Sequence, residues 1–402
     1  MRLLLFNLAT DVNDPVLAFA LAWVRRLAPR FDFIDIITMA RGEADLPANV
    51  TVYSAGRERG LSKPRRVANF YRHLLRLLAA RRYDACFAHM MPLFAGMAGP
   101  LLSARGIRTV LWYTHRQRSI QLRLGLAMSW RVVSADATSF PYETDKLRVI
   151  GHGIDTDFYA PPPPPRPLAD GSVSTRPQDE GEGMKPPSSE RTIQPPFPPG
   201  GGRAGDGGDP LVVQVGRLAA IKHQATTIQA VAGTAGELAL IGGAQAGSAS
   251  GYEEMLKERA GQVGMNQRCR FTGDLPAAAV RDWYRRATVA VNMSPVGLFD
   301  KAALESMACG VPTIVCNPAF APLLGERADL LLTAGPDDVA GLRGRLERLF
   351  ALSPEERAAI GRRLRNGVLR EHSLDGLTER LLAVLRTGEL PESPHPRRSM
   401  ST

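Results

Sequence analysis

The sequence predicts an α/β protein built from two doubly wound parallel sheets, and three observations lead there. Short β-branched apolar runs alternate with longer amphipathic segments twice, from Met1 to about Ala160 and again from Leu211. A stretch of different composition, opening on five prolines, separates the two series. A chain of 402 residues also exceeds what one hydrophobic core usually serves.

In the first series the strands are "RLLLFNL", "FDFIDIITM", "VTVYSA", "YDACFAHM" and "RTVLWYTH". Between them a helix opens at Asp14-Pro15, where Asp is an N-cap and Pro suits the first helical position. A long basic helix spans Ser62 to Arg82, and another follows Pro92. The second series runs "LVVQVGRL", "ELALIGG", "RCRFTGDL", "TVAVNMS" and "PTIVCNP". Domains are therefore expected at residues 1–160 and 210–372, with ligand sites at strand carboxyl ends and in the cleft between them. Residues 161–209 hold thirteen of the chain's 31 prolines and are expected to be a disordered linker or insert, as is the tail 388–402.

Composition narrows the function classes. A net charge of +10 suits a polyanion, an acidic membrane surface or a phosphorylated ligand. Nucleic acid is not expected, because aromatics are 6% and no reader motif appears. The four cysteines lack metal spacing and read as reduced core residues of a cytoplasmic protein. "MRLLLFNLAT" reads as a first strand rather than a signal peptide, and no apolar run is long enough to span a bilayer.

Two segments carry chemistry. In "GLFDKAALESMACGVPTI", Asp300 is an N-cap, the helix runs from about Lys301 to Cys309, Gly310 suits a left-handed cap and Pro312 prevents continuation. Glu305 either pairs with Lys301 at i,i+4 or binds hydroxyls beside an anion site at the helix start. In "VVQVGRLAAIKHQATTIQAVA" a strand ends, Gly216 allows a tight turn, and Arg217 and Lys222 flank a helix start. A planar fork, a point charge and a helix dipole are how a diphosphate is held; two solvated surface cations are the alternative.

Taken in order, "GHGIDTDFY", "GRLAAIK", "LIGG", "FTGDLP" and "LESMACGVPTI" resemble the retaining GT-B glycosyltransferases of family 4, across nearly the whole chain outside the insert and tail. The resemblance implies two Rossmann-like domains facing across a cleft, with about 373–387 crossing back onto the first. It implies a nucleotide-sugar donor, UDP- or GDP-linked, and transfer of a hexose-type sugar with retention to a glycan or lipid-linked glycan acceptor. It places the phosphate clamp on Arg217 and Lys222 and the ribose on Glu305, with no metal or other cofactor. "DTD" at Asp155–Asp157 falls on the interdomain crossing and is not expected to bind metal.

The departures are specific. The family's first motif acid would fall at Gly297, so the sugar is expected against Asp300 or the loop Leu298, Phe299, Asp300 and Lys301. The usual Gly-Gly loop after the first strand is replaced by "NLATDVNDP", leaving Asn7, Asp11 and Asn13 to line the acceptor side. His115 matches a histidine that faces the donor sugar in relatives, but Arg116 replaces the acid frequent after it. His89 is expected in the cleft wall. The Ser62–Arg82 helix either covers the sheet or also touches anionic lipid as a peripheral contact at the inner membrane face. A non-catalytic nucleotide-binding or scaffold relative and a nucleotide-sugar epimerase are the rival readings.

Overall fold

The computed structural model describes residues 1–14, 19–163, 208–244 and 251–391. Pro15, most of the proline-rich insert and the tail beyond residue 391 lie outside the described residues. Seven strands form the first sheet: β1 (Arg2–Thr10), β2 (Phe33–Arg41), β3 (Val50–Ser54), β4 (Ala85–His89), β5 (Arg108–Trp112), β6 (Arg131–Ser134) and β7 (Leu147–Val149). Their order is β3-β2-β1-β4-β5-β6-β7, every pairing parallel. The second sheet holds β8 (Leu211–Val215), β9 (Glu237–Ile241), β10 (Cys269–Phe271), β11 (Val289–Asn292) and β12 (Thr313–Val315), in parallel order β10-β9-β8-β11-β12.

Near-continuous apolar runs such as β4 and β11 are buried along their whole length because helices cover both faces, as parallel sheets require. In each sheet the strand order reverses beside the first strand, between β1 and β4 and between β8 and β11. Such switch points open a crevice beyond the carboxyl ends of the strands. The two expected sheets are thus present. Strands β6 and β7 were not anticipated: at four and three residues they carry no readable periodicity, and they extend the sheet by pairing in turn beyond β5.

The basic helix Lys63–Ala80 buries Phe70, Leu74, Leu77 and Leu78 on the sheet, while Val67 and Leu75 face outward between arginines. The final helix, Leu374–Thr387, packs on helix Phe19–Leu27 of the first domain. Salt bridges Arg26–Asp375 at 3.0 Å and Arg30–Glu379 at 2.5 Å run along this contact. Arg365 ties the crossing segment to the second domain, donating to the carbonyls of Thr156 and Tyr159, both at 3.1 Å, and of Ala308.

Helix Lys301–Ala308 ends as its sequence dictates, with Gly310 at φ +76° and its N–H donating to Met307 O at 3.0 Å. Helix Pro354–His372 presses on that turn: a Cβ on Gly361 would stand 1.8 Å from the Gly310 carbonyl oxygen. Backbone meets backbone here, so no side chain can yield. Gly361→Ala should therefore cost about 2 kcal/mol or more of stability, read by urea denaturation, while Gly344→Ala, in open space on helix Val339–Ala351, should not destabilise.

Candidate functional site

The β8/β11 switch point gathers the residues of interest. After β8 the chain passes Gly216 and Arg217, makes a short turn at Ala220–Lys222, and enters helix Gln224–Ala232 through His223, held at φ +50° with its ring bonded to Asp337 at 2.8 Å. After β11 it runs through Ser294 and the Gly297 loop into helix Lys301–Ala308.

Asp300 joins the two sides. One carboxylate oxygen accepts from Ala302 N at 3.3 Å, capping the helix. The other accepts from Asn292 Nδ2 at 3.0 Å, from Ser294 Oγ at 2.8 Å and from the Lys222 ammonium. Burial alone would push the Asp300 carboxyl up, but the Lys222 charge and these hydrogen bonds outweigh it and hold it down to about 2. Lys222 is thereby engaged with Asp300 and Ser294. Arg217 is exposed, and its guanidinium makes no hydrogen bond or ion pair with the described residues.

The loop itself is firmly built. Leu298 N donates to Pro295 O at 3.1 Å, so this amide is already engaged. Asn317 holds the loop from the β12 side, donating to Leu298 O at 3.1 Å and to Pro295 O at 3.4 Å, and Phe299 stacks on Phe320 with centroids 4.2 Å apart. Gly297 is buried at φ +88°, a left-handed conformation that favours glycine. Glu305 is 7% exposed and pairs with Lys301 at 2.8 Å, the i,i+4 contact that helix spacing allows. Tyr159 lies beside it; burial first, and then the Glu305 charge, push the phenol pKa up. Lys301 also sits over the Phe19 ring of the first domain at 5.1 Å.

Across the cleft, Asn7 and His89 mark the β1/β4 switch point but lie inside the domain, 1% and 2% exposed. Asn7 Oδ1 accepts from Leu8 N, so His89 Nδ1 donates to it at 3.3 Å and Nε2 carries no proton. Burial, and secondarily the nearby His152, lower the His89 pKa to about 3, and the ring packs among Phe19, Trp23 and Trp112. This is the chemistry of a neutral histidine, and both residues, expected in the cleft wall, sit at the strand ends with their side chains buried. Asp11 and Asn13 form the rim, Asp11 accepting from Asn13 N at 3.0 Å and Asn13 donating to Glu43 at 3.4 Å.

His115 is exposed beyond β5, and its Nδ1 accepts from Gln117 N at 2.9 Å. That bond leaves Nε2–H as a donor in the neutral ring, suited to a sugar oxygen. Asp155 accepts from Phe158 N at 3.0 Å within a turn, and Asp157 pairs with Arg26 at 3.7 Å. Among the described residues no group of three or more His, Cys, Asp or Glu side chains is placed to hold a metal, and no helix is long and apolar enough to cross a membrane. Sequence reasoning overlooked Asn292, Ser294 and Asn317. The signal was present: polar side chains at the carboxyl ends of otherwise apolar strands.

Residues 209–351 match the family model described as glycosyl transferases group 1. The match lies in the second domain, and the chain as a whole has the GT-B fold. At the level of family and fold these likenesses support a nucleotide-sugar-dependent glycosyltransferase. The chain is 26% identical over 358 residues to the D-inositol 3-phosphate glycosyltransferase of Kribbella flavida, covering 79% of this chain and 76% of the relative. It is 29% identical to the lipopolysaccharide core biosynthesis mannosyltransferase LpsB of Rhizobium meliloti over 163 residues, 38% of this chain and 45% of that one. Among solved structures, HepE of Anabaena in complex with UDP and glucose superposes with a TM-score of 0.68 at 15% identity, covering 96% and 100% of the two chains. The sucrose-phosphate synthase of Thermosynechococcus elongatus gives 0.68 at 17%, covering 96% and 98%.

The Asp300 cluster makes this part of the structure acid-sensitive in a defined direction. Its carboxyl lies near 2 when folded, against an ordinary 3.8, so its stabilisation is complete above about pH 4 and is lost as the pH falls through about 2. The stability advantage of wild type over Asp300→Asn should shrink by about 2 kcal/mol between pH 5 and pH 2 in paired denaturation curves.

Proposed function

We propose that the protein transfers a hexose-type sugar from a UDP- or GDP-linked donor to a hydroxyl of a glycan or lipid-linked glycan, with retention of anomeric configuration. The observation that carries this is the exposed Arg217 at the β8/β11 switch point, unpaired among the described residues and one strand from the loop and helix that present Glu305. Arg217 receives the donor diphosphate and neutralises the charge that develops as the sugar leaves, with Lys222 turning to phosphate from Asp300. Glu305, buried beside Lys301, receives the ribose hydroxyls. His115 donates from Nε2 to the transferring sugar.

Retention without a covalent sugar–enzyme intermediate suits this site. With Lys222 turned to phosphate, Asp300 still accepts from Asn292, Ser294 and Ala302 N, and Glu305 is paired with Lys301, so neither stands as a free nucleophile. The departing phosphate then takes the acceptor's proton on the same face. HepE, whose structures hold UDP, UDP and glucose, or UDP-glucose, supports a uridine donor, and the LpsB resemblance supports a cell-envelope glycan acceptor. The outward arginines of helix Lys63–Ala80, with Val67 and Leu75, suit a peripheral contact with anionic lipid on the cytoplasmic side.

Calorimetric titration with UDP, GDP and inorganic pyrophosphate tests the donor site. Micromolar binding of one nucleotide is expected. Arg217→Ala should weaken both nucleotide and pyrophosphate by roughly ten- to hundredfold, as expected for a lost charged hydrogen bond. Glu305→Gln should weaken nucleotide alone, since pyrophosphate has no ribose. Folded protein that binds no nucleotide would sink the proposal. A Gly297 in place of the motif acid favours one second reading, a nucleotide-binding relative without turnover, which would bind a donor and never release its sugar to any acceptor.

A further inference from the structure

The space beside Gly297 is filled from the opposite domain. A Cβ built on Gly297 would stand 1.8 Å from Arg116 Cδ, 2.6 Å from its Cγ and 3.1 Å from its Nε. The aliphatic arm of Arg116 therefore lies on the bare backbone of Gly297, which is why a loop glycine is buried. Arg116 is otherwise exposed, and its guanidinium makes no hydrogen bond or ion pair with the described residues.

The neighbouring acids cannot satisfy it. Asp300 is held by Lys222, Asn292 and Ser294, and Glu305 by Lys301. Beside Arg116 stands the His115 Nε2–H, a second donor. The sugar side of the cleft thus presents donors and a fixed positive charge where the resemblance would place a carboxylate. A neutral sugar offers such a guanidinium only weak hydroxyl acceptors. A carboxylate on the sugar would match its planar fork, through two parallel charge-assisted hydrogen bonds.

We propose that Arg116, laid across Gly297, is a specificity-determining residue that selects a donor whose sugar carries a carboxylate, a nucleoside-diphosphate hexuronate. This rests on the donor-site reading given above. It assigns diphosphate and sugar carboxylate to different arginines: Arg217 from the β8 side of the second domain, Arg116 from the first domain. The pairing also accounts for Gly297, since any side chain there would displace the Arg116 arm.

The test is competition binding on the full chain with UDP, UDP-glucose and UDP-glucuronate, alongside GDP, GDP-mannose and GDP-mannuronate. Wild type should prefer the hexuronate over the hexose of its own nucleotide by about tenfold or more, the scale of a charged hydrogen bond. Arg116→Met, which keeps the arm and removes the charge, should bring that ratio near one and leave free nucleotide within about twofold. Arg116→Lys should retain part of the preference, because a point charge attracts the carboxylate without the fork. Gly297→Ala should lose it with Arg116 intact; thermal denaturation checks that each variant is folded. No preference in wild type, or one that survives Arg116→Met, overturns the proposal. An equal loss of nucleotide, hexose and hexuronate would assign Arg116 to the diphosphate and overturn it too. If the folded protein binds no nucleotide at all, the donor-site reading fails first and this inference falls with it.

Discussion

One carboxylate organises the second half of the molecule. Asp300 closes the helix that carries Lys301 and Glu305, receives the ammonium that follows β8, and takes hydrogen bonds from the last residue of β11 and from Ser294 just beyond it. Three pieces of chain, the turn at Lys222, the end of β11 and the helix start, are fixed to one side chain at the point where the strand order reverses. A buried charge of this kind is tolerable only when its oxygens find donors, and here both do, one oxygen taking three and the other one. The cost is that Lys222 is no longer free, so phosphate would have to compete with an acid that stays ionised down to about pH 2.

The fold was legible because its signals are local. The β-branched runs, the Asp300 cap and the Gly310–Pro312 stop are short-range physics, and each appears in the structure where the sequence puts it. Strands β6 and β7 were missed; they extend the sheet by pairing in turn beyond β5. The site was legible in its cations and acids but not in its pairings. That Lys222 meets Asp300 across 78 residues, or that Arg116 lies on Gly297 from the other domain, depends on how two sheets face one another. Asn7 and His89 make a related point: their types suggest a cleft, and they sit at the strand ends with their side chains buried, the His89 ring against Phe19, Trp23 and Trp112.

The contacts of Arg116 and Lys301 across the cleft are directional. Arg116 rests on backbone and Lys301 on an aromatic face, while Arg365 grips carbonyls of the crossing segment. None of the first two is an ion pair across the cleft, so each can slide without leaving a buried charge exposed. A cleft lined in this way can admit a ligand at modest cost, whereas the Arg365 contacts keep the pivot in place.

The return of helix Leu374–Thr387 to the first sheet has a consequence for synthesis. Arg30 and Glu379 meet across 349 residues of intervening sequence. The domain translated first thus lacks one covering helix until the rest of the chain has left the ribosome. Its apolar seat, including Trp23 and Leu27, waits open while the second domain folds. Completion of the first domain is a late, long-loop closure, and a nascent chain halted before residue 374 would carry an uncovered hydrophobic face as a target for chaperones.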